Sequence, residues 1–367
     1  MVRTCRLVRA GRGVAAQWRR EGDDLILSPA GEPALAVRIG EVSGISGDGF
    51  TVRLRLPDGE MALERLGGDG PTLLEELRRD WPVLRAAVLR LAGGERPNHV
   101  FTGNLESSGA RGPFRGFFVD GRLIIALEGE DLFALFAADC ASVVFDEEAY
   151  AVRMTGWDGD QTVFTRLGGT SAAFAGALTA ARETLALQAG EVFARYLPTL
   201  AARSRAELAS QWLPGRLMSF AELERVASGF AAAFSASWLA ASPRAASGKE
   251  LMADIEPSDR FLGYGAAAGD ADPFLWLLVQ RQEASTLELL SHDDYATYLF
   301  QGGRELPGLI EGLIRFPEFS REALYLPLAQ LAGERGIYAT AARDFPLLRE
   351  LRTRFCGRKI HHQGHED

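Results

Sequence analysis

A segment that occurs twice sets the strongest limit on the fold. Residues 58–79 read DGEMALERLGGDGPTLLEELRR, and residues 158–183 read DGDQTVFTRLGGTSAAFAGALTAARE. Each copy has an Asp-Gly turn, an alternating strand, a Gly-Gly break, a polar cap and a helix with an apolar stripe. The spacing from DG to RLGG differs by a single residue between the copies. Two stretches that end alike in this way read as one repeated module, with the segment at its close.

Upstream of the first copy, residues 24–28, 34–39, 50–56 and 60–65 are short strand candidates, and the last three alternate apolar with polar residues. Gly31-Glu32-Pro33, Gly47-Asp48-Gly49 and Pro57-Asp58-Gly59 separate them as turns, the pattern of an antiparallel meander. Asp69 or Gly70 caps a helix that opens with Pro71, where the missing N–H costs nothing. Leu74, Leu77, Trp81, Leu84 and Val88 form its apolar side. Pro82 is expected to kink or restart the helix, and Gly93-Gly94 to end it. In the second copy, residues 112–119, 122–127, 131–136, 142–145, 150–155 and 161–166 are strand candidates. Thr170 or Ser171 caps the helix, with Phe174, Leu178, Leu185 and Leu187 as core.

Residues 201–247 change character. Ser219 and Glu222 fit a capping box ahead of Leu223, Val226, Phe230, Phe234 and Trp238 at helical spacing. The segment ASPRAASG, residues 241–248, reads as a loose joint and the best boundary in the chain. Beyond it, strands at 260–265, 274–279, 286–290 and 295–301 precede a Gly-Gly break and helices at 306–314 and 343–355, a partly rebuilt relative of the module. The expected fold class is α+β, divided as module 1 (1–95), module 2 (96–197), a helical connector (198–248) and a third α+β unit with a helical tail (249–367).

A meander of short strands closed by one C-terminal helix, repeated in tandem and ending at the DG…RLGG segment, resembles tandem bacterial pleckstrin-homology-like (PH-like) barrel modules. The resemblance covers residues 14–94 and 98–197, with a possible third copy at 251–314. It implies binding modules for phosphoinositide head groups, peptides or other proteins, and only the site decides among these. Lipid-binding members place Lys and Arg around the first hairpin. Here Trp18-Arg19-Arg20 runs into Glu21, Asp23 and Asp24, and the second copy offers Arg122 near Asp120 and Glu128. Two arginines beside three acids do not make an anion-selective pocket.

Composition narrows the function classes. A formal charge of -9 argues against general affinity for nucleic acid or an anionic membrane. Cys5, Cys140 and Cys356 are odd in number and widely spaced, which suits a reducing cytoplasm better than a disulfide framework. No stretch reads as a signal peptide or as the roughly 20 apolar residues that cross a bilayer. The expected location is therefore cytoplasmic.

Candidate chemistry is sparse. The Gly-Gly breaks could offer N–H groups to an anion, but neither ends in the Lys-Ser/Thr of a phosphate loop, and a capped strand-to-helix turn is the ordinary reading. Cys356, His361, His362 and His365 carry the right donors for zinc or nickel, although their spacing matches no structural zinc pattern and a solvated tail is the plainer account. Asp23-Asp24, Glu147-Glu148 and Asp293-Asp294 read as solvated turn acids. Arg3, Arg6, Arg19 and Arg20 at one end, and Arg352, Arg354 and Arg358 at the other, could combine into a basic patch for an acidic partner or anionic lipid. No nucleophile elbow, H-E-x-x-H or Cys-His arrangement is present. The leading expectation is a non-enzymatic cytoplasmic scaffold without cofactor that binds a protein or peptide. Anion recognition by the terminal arginines, and a metal enzyme built on the Cys/His tail, are the alternatives.

Overall fold

A computed structural model describes residues 2–92, 97–265, 273–290, 296–315, 322–334 and 336–360. The chain is α+β. Among the described residues it forms three antiparallel sheets with helices between them. It divides into two compact units, Met1–Thr179 and Ala180–Asp367.

In the first unit, β1 (Arg3–Arg9), β2 (Arg12–Glu21), β3 (Asp24–Pro29), β4 (Leu35–Arg38), β5 (Gly44–Gly47), β6 (Thr51–Leu56) and β7 (Gly59–Glu64) precede helix α1 (Gly70–Val88). Then β8 (Phe101–Glu106), β9 (Arg111–Val119), β10 (Arg122–Leu127), β11 (Phe133–Phe136), β12 (Cys140–Asp146), β13 (Ala151–Gly156) and β14 (Gln161–Thr165) precede α2 (Ser171–Tyr196). The strand orders are β4-β3-β2-β1-β7-β6-β5 and β11-β10-β9-β8-β14-β13-β12, one topology used twice.

The repeated segment makes the same joint in both modules. Arg65 and Arg166 adopt left-handed backbone at φ 58° and 55°, and Gly67 and Gly168 both sit at φ 59°. Leu66 and Leu167 between them are buried. A single 3₁₀ turn then delivers the chain to the helix. The alternation of hand turns the backbone from the last strand onto the sheet while the leucine plugs the core.

The arginine-rich N-terminus forms the first hairpin. Cys5, Leu7, Ala16 and Trp18 alternate inward while Thr4, Arg6, Ala15 and Gln17 alternate outward. Ala10 and Gly11 at φ 47° and 77° close a two-residue turn. The period of two is present, but apolar Val8 and Ala15 at outward positions, and Arg3 and Arg9 in phase with Cys5 and Leu7, blur it. Pro82 lies inside α1 without ending it. A proline there costs roughly 3 kcal/mol, and burial of Trp81, Pro82 and Val83 against the sheet offsets it. In α2, Phe174 and Leu178 are buried, Leu185 is half-buried and Leu187 is 72% exposed. Leu187 is thirteen residues after Phe174, about 220° round a helix of 3.6 residues per turn. It therefore faces away from the core it was expected to join.

In the second unit the strands are β15 (Leu217–Ser219), β16 (Arg260–Gly265), β17 (Phe274–Gln280), β18 (Ala284–Leu289), β19 (Ala296–Gln301) and β20 (Phe355–Ile360), paired in chain order. This order differs from the one that the first two sheets share. The helices are α3 (Ala202–Gln211), α4 (Phe220–Val226), α5 (Phe230–Ala233), α6 (Ala245–Met252), α7 (Leu306–Ile314), α8 (Glu322–Tyr325), α9 (Leu328–Glu334), α10 (Gly336–Asp344) and α11 (Pro346–Arg354). Leu262, Tyr264, Leu275, Leu277 and Val279 share one core with Phe193, Trp212, Phe230, Phe234 and Trp238. Burial pushes the Tyr264 phenol well above its ordinary pKa, and its hydroxyl donates to the Trp212 carbonyl at 2.8 Å. Gly263, on the opposite face, backs onto Ile314 of α7.

The capping box forms: Ser219 Oγ accepts from the Glu222 N–H, and Glu222 Oε2 accepts from the Ser219 N–H at 2.9 Å. Residues 241–248, expected to be loose, are tied to the sheet by one buried acid. Glu288 has no exposed surface and accepts from Arg244 at 2.9 and 2.7 Å, from Ser247 at 3.2 Å and from Thr297 at 2.5 Å. A buried carboxylate needs such partners, and the segment supplies two of the three. Among the described residues, no helix is long and apolar enough to cross a membrane.

Candidate partner-binding edge

Strands β5 and β12 end their sheets on the same side of the topology. An edge strand leaves alternate N–H and C=O groups unpaired within its own sheet. In module 1, Asp48 N–H donates to the Thr51 carbonyl, and pairing continues as Ser46 with Arg53 and Gly44 with Arg55. Ile45 and Gly47 therefore turn their backbone outward.

Both outward carbonyls are occupied. The Gly129 N–H donates to the Ile45 carbonyl at 3.1 Å, and Arg78 Nη2 donates to the Gly47 carbonyl at 3.3 Å. Gly129 lies in the β10–β11 turn of module 2, at φ 75°. Its carbonyl comes so close to Gly44 that a Cβ there would lie 2.8 Å from the oxygen. Acids flank the glycine on both sides. Arg78 pairs with Glu128, Arg55 lies 3.9 Å from Glu130, and Arg85 grips Asp131 through Nε at 2.9 Å and Nη2 at 2.5 Å. Arg85 also reaches the Gly40 carbonyl at 3.4 Å, and Trp81 Nε1 donates to the Val42 carbonyl at 2.7 Å. Helix α1 thus satisfies the backbone between β4 and β5 while it holds the neighbouring module. Further along the junction, Arg115 pairs with Glu75 at 2.8 Å and Arg122 donates to the Leu91 carbonyl at 3.1 Å. Burial lowers the Arg122 pKa, opposed by the nearby Asp120 carboxylate.

The same edge recurs in module 2. Val52 and Val152 are fully buried second residues of β6 and β13, and they pair with Gly47 and Phe145. Val143 and Phe145 consequently stand where Ile45 and Gly47 stand. Among the described residues, no turn docks on them as Gly129 docks on Ile45. Val144 is 54% exposed, and at the following turn Tyr150, at φ 47°, is 68% exposed. Phe50 holds the matching position in module 1 and is 69% exposed. Asp146 accepts the Ala149 N–H at 2.9 Å and lies 3.6 Å from Arg153, while Glu147 and Glu148 are exposed.

The arginines singled out from sequence are engaged locally. Arg3 lies 3.3 Å from Asp69 and over the Trp18 ring at 5.0 Å. Arg6 pairs with Glu64 at 2.9 Å, Arg19 with Glu21 at 2.5 Å and Arg20 with Asp80 at 2.7 Å. In the second unit, Arg352 donates to the carbonyls of Ala323 and Leu326, closing α8. Arg354 bridges Glu350 at 2.8 Å and Glu305 at 2.6 Å, and Arg358 stacks over Tyr325 at 4.1 Å. Cys356 is an exposed residue of β20. His361, His362 and His365, like Asp293 and Asp294, lie outside the described residues. Among those described, no three potential metal ligands come together. A cleft of roughly 370 Å³ between the β1–β2 and β6–β7 turns places Arg9 3.6 Å from Asp58 and beside Glu60, a mixture of signs.

Sequence reasoning missed the docked turn and its receiving edge. The run Glu128-Gly129-Glu130-Asp131 after an apolar strand signals a hairpin tip, but nothing in it names the strand on which it lands. The sequence matches no protein-family model and no curated protein.

Proposed function

We propose that this chain is a non-enzymatic binding or scaffold protein whose first two modules are PH-like barrels, and that it recognises a protein or peptide segment by backbone pairing at a sheet edge. The shared seven-strand order, closed each time by one C-terminal helix, supports the PH-like reading. The observation that carries the edge reading is the bond from the Gly129 N–H to the Ile45 carbonyl: this edge already receives a segment of its own chain. Cys5, Cys140 and Cys356 form no disulfide, which suits a protein of the reducing cytoplasm.

The test is cross-linking of the full chain in its native host, followed by mapping of the linked residues. Partner cross-links that concentrate on β12 and the β12–β13 turn are the expected result. Links confined to the second unit, or a catalytic activity abolished by one polar substitution, would overturn the reading.

A further inference from the structure

Modules 1 and 2 share a docking edge but not the charge around it. At β5 the rim is basic, with Arg55, Arg78 and Arg85, and the segment it receives is acidic, with Glu128, Glu130 and Asp131. Counting from Leu167 as from Leu66, Thr179 and Ala186 stand in α2 where Arg78 and Arg85 stand in α1. Around β12 the exposed turn carries Glu147 and Glu148, and among the described residues neither pairs with an arginine. The rim has lost the two helix arginines and gained two acids, and Arg153 beside it is paired with Asp146.

A second copy of this chain fits β12 poorly. Its matching turn, between β3 and β4, has the same backbone: Gly31 lies at φ 79°, and the Glu32 N–H donates to the Pro29 carbonyl at 3.4 Å, as Glu130 does to Leu127 at 3.3 Å. Yet Ala30 and Pro33 occupy the places of Glu128 and Asp131. Both partners of the ion pairs that hold the intramolecular turn are missing, and Glu32 would face acids.

We propose that β12 pairs with an extended segment of a protein partner in which apolar and basic side chains alternate. The inference rests on the edge-docking reading above and adds the chemistry of the partner. Outward backbone groups of Val143 and Phe145 supply the ladder. Side chains of an added strand alternate between faces, so one set packs against exposed Val144 while the other reaches the turn. There Glu147 and Glu148 attract a cation, and the Tyr150 ring offers a face to a guanidinium.

Fluorescence anisotropy of the full chain with two labelled synthetic peptides, one of alternating valine and arginine and one of alternating valine and glutamate, tests this. The basic peptide is expected to bind at least about tenfold more tightly. The double variant E147K/E148K should weaken it by about the same factor, and Val143→Pro, which removes an outward N–H at an edge where proline is tolerated, should abolish binding. Val144→Arg, at a solvent-exposed position, gives a second reading of the edge that does not threaten folding and should also weaken the basic peptide. Failure of the basic peptide to bind overturns the proposal. Equal binding of both peptides, with V143P still abolishing it, overturns the basic partner and keeps the edge reading. Binding that neither V143P nor V144R alters overturns the edge reading as well. Self-association in ultracentrifugation that V143P removes and the basic peptide does not compete would overturn the proposal by assigning β12 to a second copy.

Discussion

Arg85 of α1 and Asp131 of the β10–β11 turn form a two-point ion pair across the junction of the first two modules, and the arginine has no exposed surface. A guanidinium buried so completely depends on its carboxylate, because losing one partner leaves a desolvated charge. The pair therefore couples module 2 to the helix that closes module 1.

Asp131→Ala is expected to destabilise the first unit by about 3 kcal/mol, measured by urea denaturation. Replacing both residues by leucine should recover most of that loss, since no buried charge remains. A double variant as unstable as the single one would show that the residues act through something other than their pairing.

The joints at the end of each repeat predict matched costs. Gly67→Ala and Gly168→Ala should each cost about 1–2 kcal/mol, because an L-residue is disfavoured at φ 59°. Neighbouring Gly68 has the same open surroundings without the positive φ, so Gly68→Ala should lie within about 0.5 kcal/mol of the parent. Thermal denaturation of the three variants compares them directly, and equal costs at 67 and 68 would contradict the backbone explanation.

Asp80 should contribute to acid sensitivity. Its hydrogen bond to Arg79, seconded by Arg20, lowers its pKa to about 2, below the unfolded value of about 3.9. The stabilisation is complete above the unfolded pKa and fades as pH falls from about 4 to about 2. Arg79 is largely exposed, so screening holds the contribution to about 1 kcal/mol. Asp80→Asn should lose that amount at neutral pH and flatten the stability profile below pH ~4, as followed by pH-dependent denaturation.

Thiol reactivity should separate the three cysteines. Cys356 is exposed, whereas Cys5 is buried and its desolvated thiol is pushed up to about 11. Only a thiolate reacts with a disulfide reagent. At mildly alkaline pH the folded chain should show one fast-reacting thiol that Cys356→Ser removes, with Cys5 and Cys140 reacting on unfolding. Fast reaction of Cys5 in the folded chain would contradict its burial.

Much of this protein was legible in the order of its residues. The DG…RLGG segments announced the repeat because turn glycines, alternation and helical spacing are local properties that survive without the fold. The capping box at Ser219 and Glu222 was readable for the same reason. Strands β1 and β2 were missed because apolar Val8 and Ala15 at outward positions, and Arg3 and Arg9 in phase with Cys5 and Leu7, blur their period, and β5 because a run of glycine and serine carries no period. The terminal arginines suggested a patch, yet each found a local carboxylate, carbonyl or ring once the chain closed. Sequence alone determined the repeat, the joint where its last strand gives way to a helix and the cap at Ser219, since those features depend on neighbours along the chain. Only the tertiary structure decided that Gly129 docks on Ile45 and that Asp131 meets Arg85, because such pairings depend on which edges the topology leaves open and which charges it brings within reach.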